Sequence, residues 1–245
     1  MTRNQSVGNM RLLLISNSTN AGEEYLEYPM ENIKKFLGKQ RGSILFIPYA
    51  GITISYDDYA AKVSGRFRDI GIEIVSIHTV SNPIKAINDA TCIIIGGGNT
   101  WQLLHLLQKY KLIGSIREKV LSGCPYIGWS AGSNLCCPTI RTTNDMAVVQ
   151  PQSFDSLDLI PFQINPHYLD ANPEGHAGET REDRIKEFIQ VNQNIYVIGL
   201  REGTMLSIEK DVIQLIGKRN AKIFRYGSNS KELSPKDDFS FLLKR

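Results

Sequence analysis

The sequence predicts an α/β fold whose largely parallel sheet is flanked by helices. Three observations point to it. Short apolar runs of strand length alternate with segments of helical periodicity through the first half of the chain. These runs are continuously apolar, as in strands covered on both faces, rather than alternating with polar residues. Two of them end in glycine-bearing turns, Gly96-Gly97-Gly98 and Gly128-Trp129-Ser130-Ala131-Gly132. Ligands of such sheets collect at the carboxyl ends of the strands.

The elements follow in order. Arg11 to Ser16 reads as a buried strand that ends in the polar turn Asn17-Ser18-Thr19-Asn20. Pro29 to Leu37 places Met30, Ile33, Phe36 and Leu37 at helical spacing, with Gly38 as the stop. Ser43 to Pro48 is a strand. Tyr56 to Ile70 is an amphipathic helix, with Tyr59, Val63 and Phe67 recurring every four residues. Ile72 to Ile77 reads as a third strand, Asn82 to Asn88 as a short helix and Thr91 to Ile95 as a fourth strand. Helices over Trp101 to Gln108 and Leu112 to Leu121 precede a fifth strand, Pro125 to Trp129, which runs straight into Ser130.

Beyond Gly132 the texture changes. Met146 to Phe162 reads as short strands and loops, and Arg181 to Val191 as a helix. Ile195 to Leu200, Thr204 to Ile208 and Val212 to Ile216 read as strands joined by tight turns, with Lys222 to Tyr226 a further one. The tail from Ser228 is polar until Phe239 and carries little pattern. With no repeat or low-complexity tract, 245 residues are expected to form a single α/β domain over 1–245.

Composition narrows the function classes. A formal charge of +3, with basic residues scattered among acids, lacks the clustered Lys/Arg of a nucleic-acid footprint. No apolar stretch reaches bilayer length, so no membrane partner is expected. The four cysteines, Cys92, Cys124, Cys136 and Cys137, show no CxxC spacing. Cys92 and Cys124 read as buried hydrophobes, and a reducing, cytoplasmic location is expected. No HExxH or clustered His/Cys set suggests a metal, and neither glycine turn completes a nucleotide-binding pattern.

The run Gly128 to Gly132 has the form G-x-S-x-G between a strand and a helix. Such a turn lifts a serine hydroxyl clear of the sheet and turns backbone N–H groups toward a reacting carbonyl. Five-residue matches are common, and a turn that merely joins strand to helix has the same pattern. Gly96-Gly97-Gly98, on the same expected rim, would supply half of an oxyanion hole, or serve simply as a strand–helix loop.

A serine nucleophile needs a base. Of the four histidines, His78 (on a predicted strand) and His105 (within a helix) read as structural. His167, in the irregular segment Asn165-Pro166-His167-Tyr168, is favoured over His176, which lies between Gly175 and Ala177. For the acid that orients the imidazole, Asp145, Asp170, Glu174, Glu179 and Glu202 are candidates. Glu202, at the end of an apolar strand and before Gly203, suits the role best, with Asp145 next.

With these residues in place, the chain resembles the peptidase E family of α-aspartyl dipeptidases (serine peptidase family S51). The likeness runs through RLLLISNS, FIPYA, GGGNT, GWSAGSN, TTNDM, INPHY, GETREDRI and GLREGT, in order along nearly the whole chain. It implies a class I glutamine amidotransferase-like (flavodoxin-like) fold, with Ser130 as nucleophile, His167 as base and Glu202 as acid. Amidotransferases of this fold carry cysteine where this chain has Ser130, which speaks against glutaminase chemistry. The resemblance carries no expectation for the segment before Arg11 or for the pairing of Arg201 with Glu202.

The resemblance implies hydrolysis of Asp-Xaa dipeptides without a cofactor. Gly98 and Ala131 would hold the oxyanion. A substrate β-carboxylate calls for a guanidinium, and Arg181 occupies the family position assigned to it, although a helix-surface pair with Glu182 or Glu187 is its plainer reading. Asn99 would add a donor, and Asp145 or Glu179 would receive the substrate ammonium. A cyanophycinase-like hydrolase of β-aspartyl-arginine and a catalytically silent binding protein are the alternatives. Monomer and homodimer are both compatible with the sequence.

Overall fold

The computed structural model of the chain describes residues 9–38, 42–172, 174–175 and 177–244. Its main sheet has seven strands: β1 (Arg11–Ile15), β2 (Ile44–Ile47), β3 (Ile74–Ser76), β4 (Cys92–Ile95), β5 (Tyr126–Trp129), β8 (Met205–Glu209) and β9 (Val212–Ile216), in the order β3-β2-β4-β5-β1-β8-β9. The first five are parallel, and β8 and β9 extend the sheet antiparallel beyond β1. β2, β4 and β5 are buried at every residue because helices cover both of their faces. β9 alternates buried and exposed residues, as an edge strand with one solvated face does.

On one face pack α1 (Met30–Leu37) and α2 (Tyr56–Arg68), burying Ile33, Phe36, Val63 and Phe67 against the sheet. The other face carries α3 (Pro83–Asp89), α4 (Thr100–Lys109), α5 (Ile113–Leu121) and the short α6 (Ala131–Asn134). The predicted helix-and-strand alternation is thus present, with ends differing by one to a few residues.

The second half departs from expectation in a way that matters for the site. β6 (Gln163–Tyr168), β7 (Val197–Arg201), β10 (Ala221–Phe224) and β11 (Lys231–Leu233) form a separate four-stranded sheet, β11-β10-β7-β6. The segment holding His167, read as irregular because of Pro166, is therefore a strand. Proline is tolerated there because β6 is an edge strand and carries a bulge. α7 (Arg181–Val191) covers this sheet with Ile185 and Ile189. Leu135, Ile164, Ile198 and Leu200 join the main core, so the two sheets share one apolar interior. His78 also departs from its predicted strand. It sits in a 3-10 turn, Ile77–Thr79, between Ser76 Oγ at 2.7 Å and Asp57 Oδ1 at 2.9 Å. Met146 to Phe162 holds no strand beyond one isolated bridge, Thr139 to Asp155. Among the described residues no helix is long and apolar enough to cross a membrane.

Candidate active site

Ser130 follows β5 directly, with φ 53° and ψ −111°. A non-glycine residue held there stores roughly 1–3 kcal/mol of strain, so its neighbours must enforce the turn. Ser130 N–H donates to Ile15 O at 3.0 Å. The Ser133 hydroxyl lies 2.7 Å from Ile15 O and 2.8 Å from Gly128 O, pinning α6 to the ends of β1 and β5. The flanking glycines are required sterically. A Cβ on Gly128 would lie 2.5 Å from Gly132 O, and one on Gly132 would collide with the Ile95 carbonyl. Both obstacles are backbone and cannot swing away. Gly132→Ala is expected to cost at least ~1–3 kcal/mol, a fall in Tm of about 2–12 °C in a thermal melt. An unchanged Tm would mean that the crossing is not this tight.

The turn after β4 closes on the same residue. A Cβ on Gly97 would lie 3.1 Å from Ser130 Cβ, and Gly98 (φ 134°) has room for none because of the Ala50 carbonyl. Asn99 N–H donates to Ala50 O at 2.8 Å, which holds the turn down. The N–H groups of Gly98 and Ala131 bond to no described residue.

His167 reaches Ser130 through a β-bulge. The β6–β7 register passes from Pro166 opposite Leu200 to Tyr168 opposite Arg201, leaving His167 as the extra residue, with φ 52°. A bulge of this kind re-aims one side chain out of the strand's alternation. Ser16, just past β1, locks it. Its hydroxyl accepts from His167 N–H at 3.0 Å and donates to Leu200 O at 2.7 Å, joining the two sheets behind the site.

The three side chains form one line. His167 Nε2 lies 2.9 Å from Ser130 Oγ, and His167 Nδ1 lies 2.7 Å from Glu202 Oε1. With Nδ1–H donated to the carboxylate, Nε2 presents a lone pair to the serine hydroxyl. Such a line can take the serine proton as the oxygen attacks a carbonyl.

Glu202 lies in the turn after β7 and is held from both sides. Gly203 N–H donates to Asn17 Oδ1 at 2.9 Å, and Tyr28 Oη donates to the same oxygen at 2.7 Å. Burial pushes the Tyr28 phenol well above its usual range, so it stays a donor. On the other side Arg201 forks onto Asp170 and Glu232, with Nε to Asp170 Oδ2 at 2.8 Å and Nη2 to Glu232 Oε1 at 2.7 Å. The Arg201 hydrogen bonds pull the Asp170 carboxyl below its ordinary range. This commits Asp170, one of the acids considered from sequence, to the guanidinium. Arg201, beside Glu202, is therefore a clamp joining β7 to the segment just after β6 and to β11.

Asp145 takes a different place. Its Oδ2 accepts from Thr100 N–H at 2.7 Å, Thr100 Oγ1 at 2.5 Å and Thr143 Oγ1 at 2.9 Å, at the start of α4. Asn99 is the N-cap of α4. Its Oδ1 accepts from Gln102 N–H at 3.0 Å and its Nδ2 donates to Met146 O at 2.8 Å. One amide proton of Asn99 remains for a ligand. Glu179 is exposed, 3.8 Å from Arg184. His105 meets Gln150 O at 3.2 Å within its helix. His176, the rival base, lies outside the described residues.

Two cavities adjoin Ser130. One, of about 340 Å³, is lined by Ser130, Asp145, His167, Arg181 and Glu202 among others. Arg181 opens α7, whose start is fixed by a capping box between Thr180 and Asp183. Glu182 pairs with Lys222 and Lys186 instead, and Arg181 makes no hydrogen bond or ion pair among the described residues. Burial and neighbouring Arg184 lower the Arg181 pKa, and Asp145 opposes them. The second cavity, of about 650 Å³, extends from Ser130 and His167 along Gly97, Gly98, Trp129 and Ile52.

The model of peptidase family S51 matches residues 12–216. The chain belongs to that family. It is 52% identical over 235 residues to peptidase E of a Nostoc species, covering 96% of this chain and 97% of the relative. It is 46% identical over 224 residues to peptidase E of Escherichia coli, covering 91% and 97%. A solved peptidase from an acI-B1 actinobacterium superposes with a TM-score of 0.69 at 20% identity, covering 96% of this chain and 98% of that one. That likeness supports the flavodoxin-like α/β fold. The chain is thus a serine peptidase.

This peptidase keeps its cysteines out of the site. Cys136 and Cys137, just after α6, are fully buried, and burial pushes the Cys137 thiol up to about 12. Sequence reasoning passed over Ser16, Asn17, Tyr28 and the Arg201 clamp. Ser16 and Asn17 carried a usable signal, since they sit at the carboxyl end of a parallel strand. Tyr28 and Arg201 did not, because no local pattern marks a contact made across a loop or between separate strands.

Proposed function

We propose that this peptidase hydrolyses Asp-Xaa dipeptides, with Ser130 as nucleophile, His167 as general base and Glu202 as the acid that orients the imidazole. The observation that carries this reading is the hydrogen-bonded line of the three side chains, together with Arg181 on the same cavity, which has no ion-pair partner among the described residues. The peptidase E relatives favour it over the cyanophycinase-like and silent-binding alternatives.

The substrate's N-terminal aspartate enters the smaller cavity. Its β-carboxylate meets the Arg181 guanidinium, whose fork matches carboxylate geometry. Its ammonium faces Asp145, which lines that cavity as Glu179 does not. His167 Nε2 takes the Ser130 proton as Oγ bonds to the carbonyl carbon. The oxyanion is held by the N–H groups of Gly98 and Ala131; removing one such donor typically costs ~10²–10³ in rate. The C–N bond breaks as His167 passes its proton to the leaving amine. Water then attacks the aspartyl ester, its proton goes to His167 and from there to Ser130 Oγ, and free aspartate departs.

Arg181→Ala is expected to abolish the preference for Asp-Leu over Asn-Leu, because a charge-assisted fork separates a carboxylate from an amide by roughly 10- to 100-fold. Comparing kcat/KM for the two dipeptides in wild type and variant checks it. A preference that survives the substitution would clear Arg181 of the role.

A further inference from the structure

The larger cavity on the other side of Ser130 has a charge pattern of its own. Its wall is aromatic and aliphatic, with Tyr25, Ile52, Ile54, Trp129 and Val148. Among the described residues its one lysine or arginine is Lys62, and its one carboxylate, Asp145, is already bonded to the start of α4. Lys62 stands on the exposed side of α2, and its Nζ lies 4.2 Å from the centre of the Tyr25 ring. A cation over an aromatic face is held in place without being neutralised. Among the described residues it has no carboxylate partner, whereas Arg66, one turn further along the helix, pairs with Glu24 and Asp69.

The ring beneath Lys62 is fixed to the reacting end of the site. Tyr25 Oη donates to Tyr59 Oη at 3.3 Å, and Tyr59 Oη donates to Gly97 O at 3.0 Å. Trp129 Nε1 donates to Tyr59 Oη at 3.3 Å. A continuous set of hydrogen bonds therefore runs from the aromatic platform of Lys62 to the glycine turn and to the residue before Ser130. Desolvation raises the Tyr25 and Tyr59 phenols above their usual range, so both stay neutral beside the ammonium.

We propose that Lys62 receives the C-terminal carboxylate of the leaving residue, making it a specificity-determining residue for dipeptides. The inference rests on the proposed Asp-Xaa reaction. If the aspartyl residue fills the cavity holding Arg181, the leaving residue occupies the one holding Lys62. In a dipeptide that residue ends in a carboxylate. A longer or amidated peptide places a neutral amide there, which an ammonium favours far less. The apolar wall suits an apolar side chain on the same residue.

The test compares Asp-Leu with Asp-Leu amide in wild type, Lys62→Met and Lys62→Arg. Wild type is expected to favour the free acid by roughly 10- to 100-fold in kcat/KM. In Lys62→Met the ratio is expected to collapse toward one, mainly through a raised KM for Asp-Leu, and Lys62→Arg is expected to keep most of it. A wild type indifferent to the carboxylate overturns the proposal. So does a Lys62→Met variant that retains the ratio. If wild type hydrolyses the amide and the acid equally well, the Asp-Xaa reading stands and only the role of Lys62 falls. If it hydrolyses neither, the Asp-Xaa reading has failed and takes this one with it.

Discussion

Ser130→Ala is expected to lower kcat for Asp-Leu by about 10⁴- to 10⁶-fold, the range seen when a nucleophile acting as part of a unit is removed. The residue is half-buried and the change is to a smaller side chain. The fold should therefore survive, and a thermal melt should show it. The loss should also appear as loss of covalent labelling by a serine-reactive phosphonate. Residual turnover would come from the oxyanion donors and from binding alone. Full Asp-Leu hydrolysis by this variant would overturn the serine mechanism, and with Cys136 and Cys137 sealed in the core no thiol stands ready to replace it.

The second large effect is expected at the acid. Glu202→Ala removes the carboxylate 2.7 Å from His167 Nδ1 and leaves the imidazole free to adopt the wrong tautomer. Losses of about 10³- to 10⁴-fold in kcat follow from disabling an orienting acid. Asp145→Ala is expected to act differently. It removes three hydrogen bonds at the start of α4, beside the glycine turn, and a charge facing the cavity of Arg181. Its signature should be a higher KM and a lower Tm, with a smaller fall in kcat than at Glu202. Measuring kcat, KM and Tm for both variants decides between them. A larger kcat loss at Asp145 would make it the orienting acid, and Glu202 would then be a bystander.

Much of this site was legible along the chain. The five parallel strands announced themselves as apolar runs, and the G-x-S-x-G turn was readable because its glycines answer to local backbone contacts. The capping box before Arg181 is likewise a four-residue signal. What was not legible lay in contacts between distant segments. His167 looked irregular because Pro166 interrupts the strand pattern, yet the bulge at that point is what turns its ring toward Ser130. Glu202 looked like the end of a strand on Ser130's own rim. It lies instead in the turn between β7 of the second sheet and β8 of the first, held by Asn17, while Ser16 locks the neighbouring bulge of His167.

The same division separates the two cations. Nothing in the spacing around Arg181 or Lys62 distinguishes them from surface charges, since both sit on helices rich in charged residues. Only the folded chain pairs Glu182 with Lys222 and leaves Arg181 without an ion pair among the described residues, and only it lays Lys62 over the half-buried Tyr25 ring.

Apolar periodicity and local backbone sterics made the α/β class and the strand–turn–helix at Ser130 readable along the chain, and they singled out that serine as the candidate nucleophile. Local backbone sterics and apolar periodicity act within a few residues, so they can be read in one dimension. Folding set which acid meets His167, which candidates are already bonded elsewhere and which charges near Ser130 have no ion pair among the described residues. Those outcomes depend on distances between residues 35 to 186 positions apart in the chain, and only folding sets such distances.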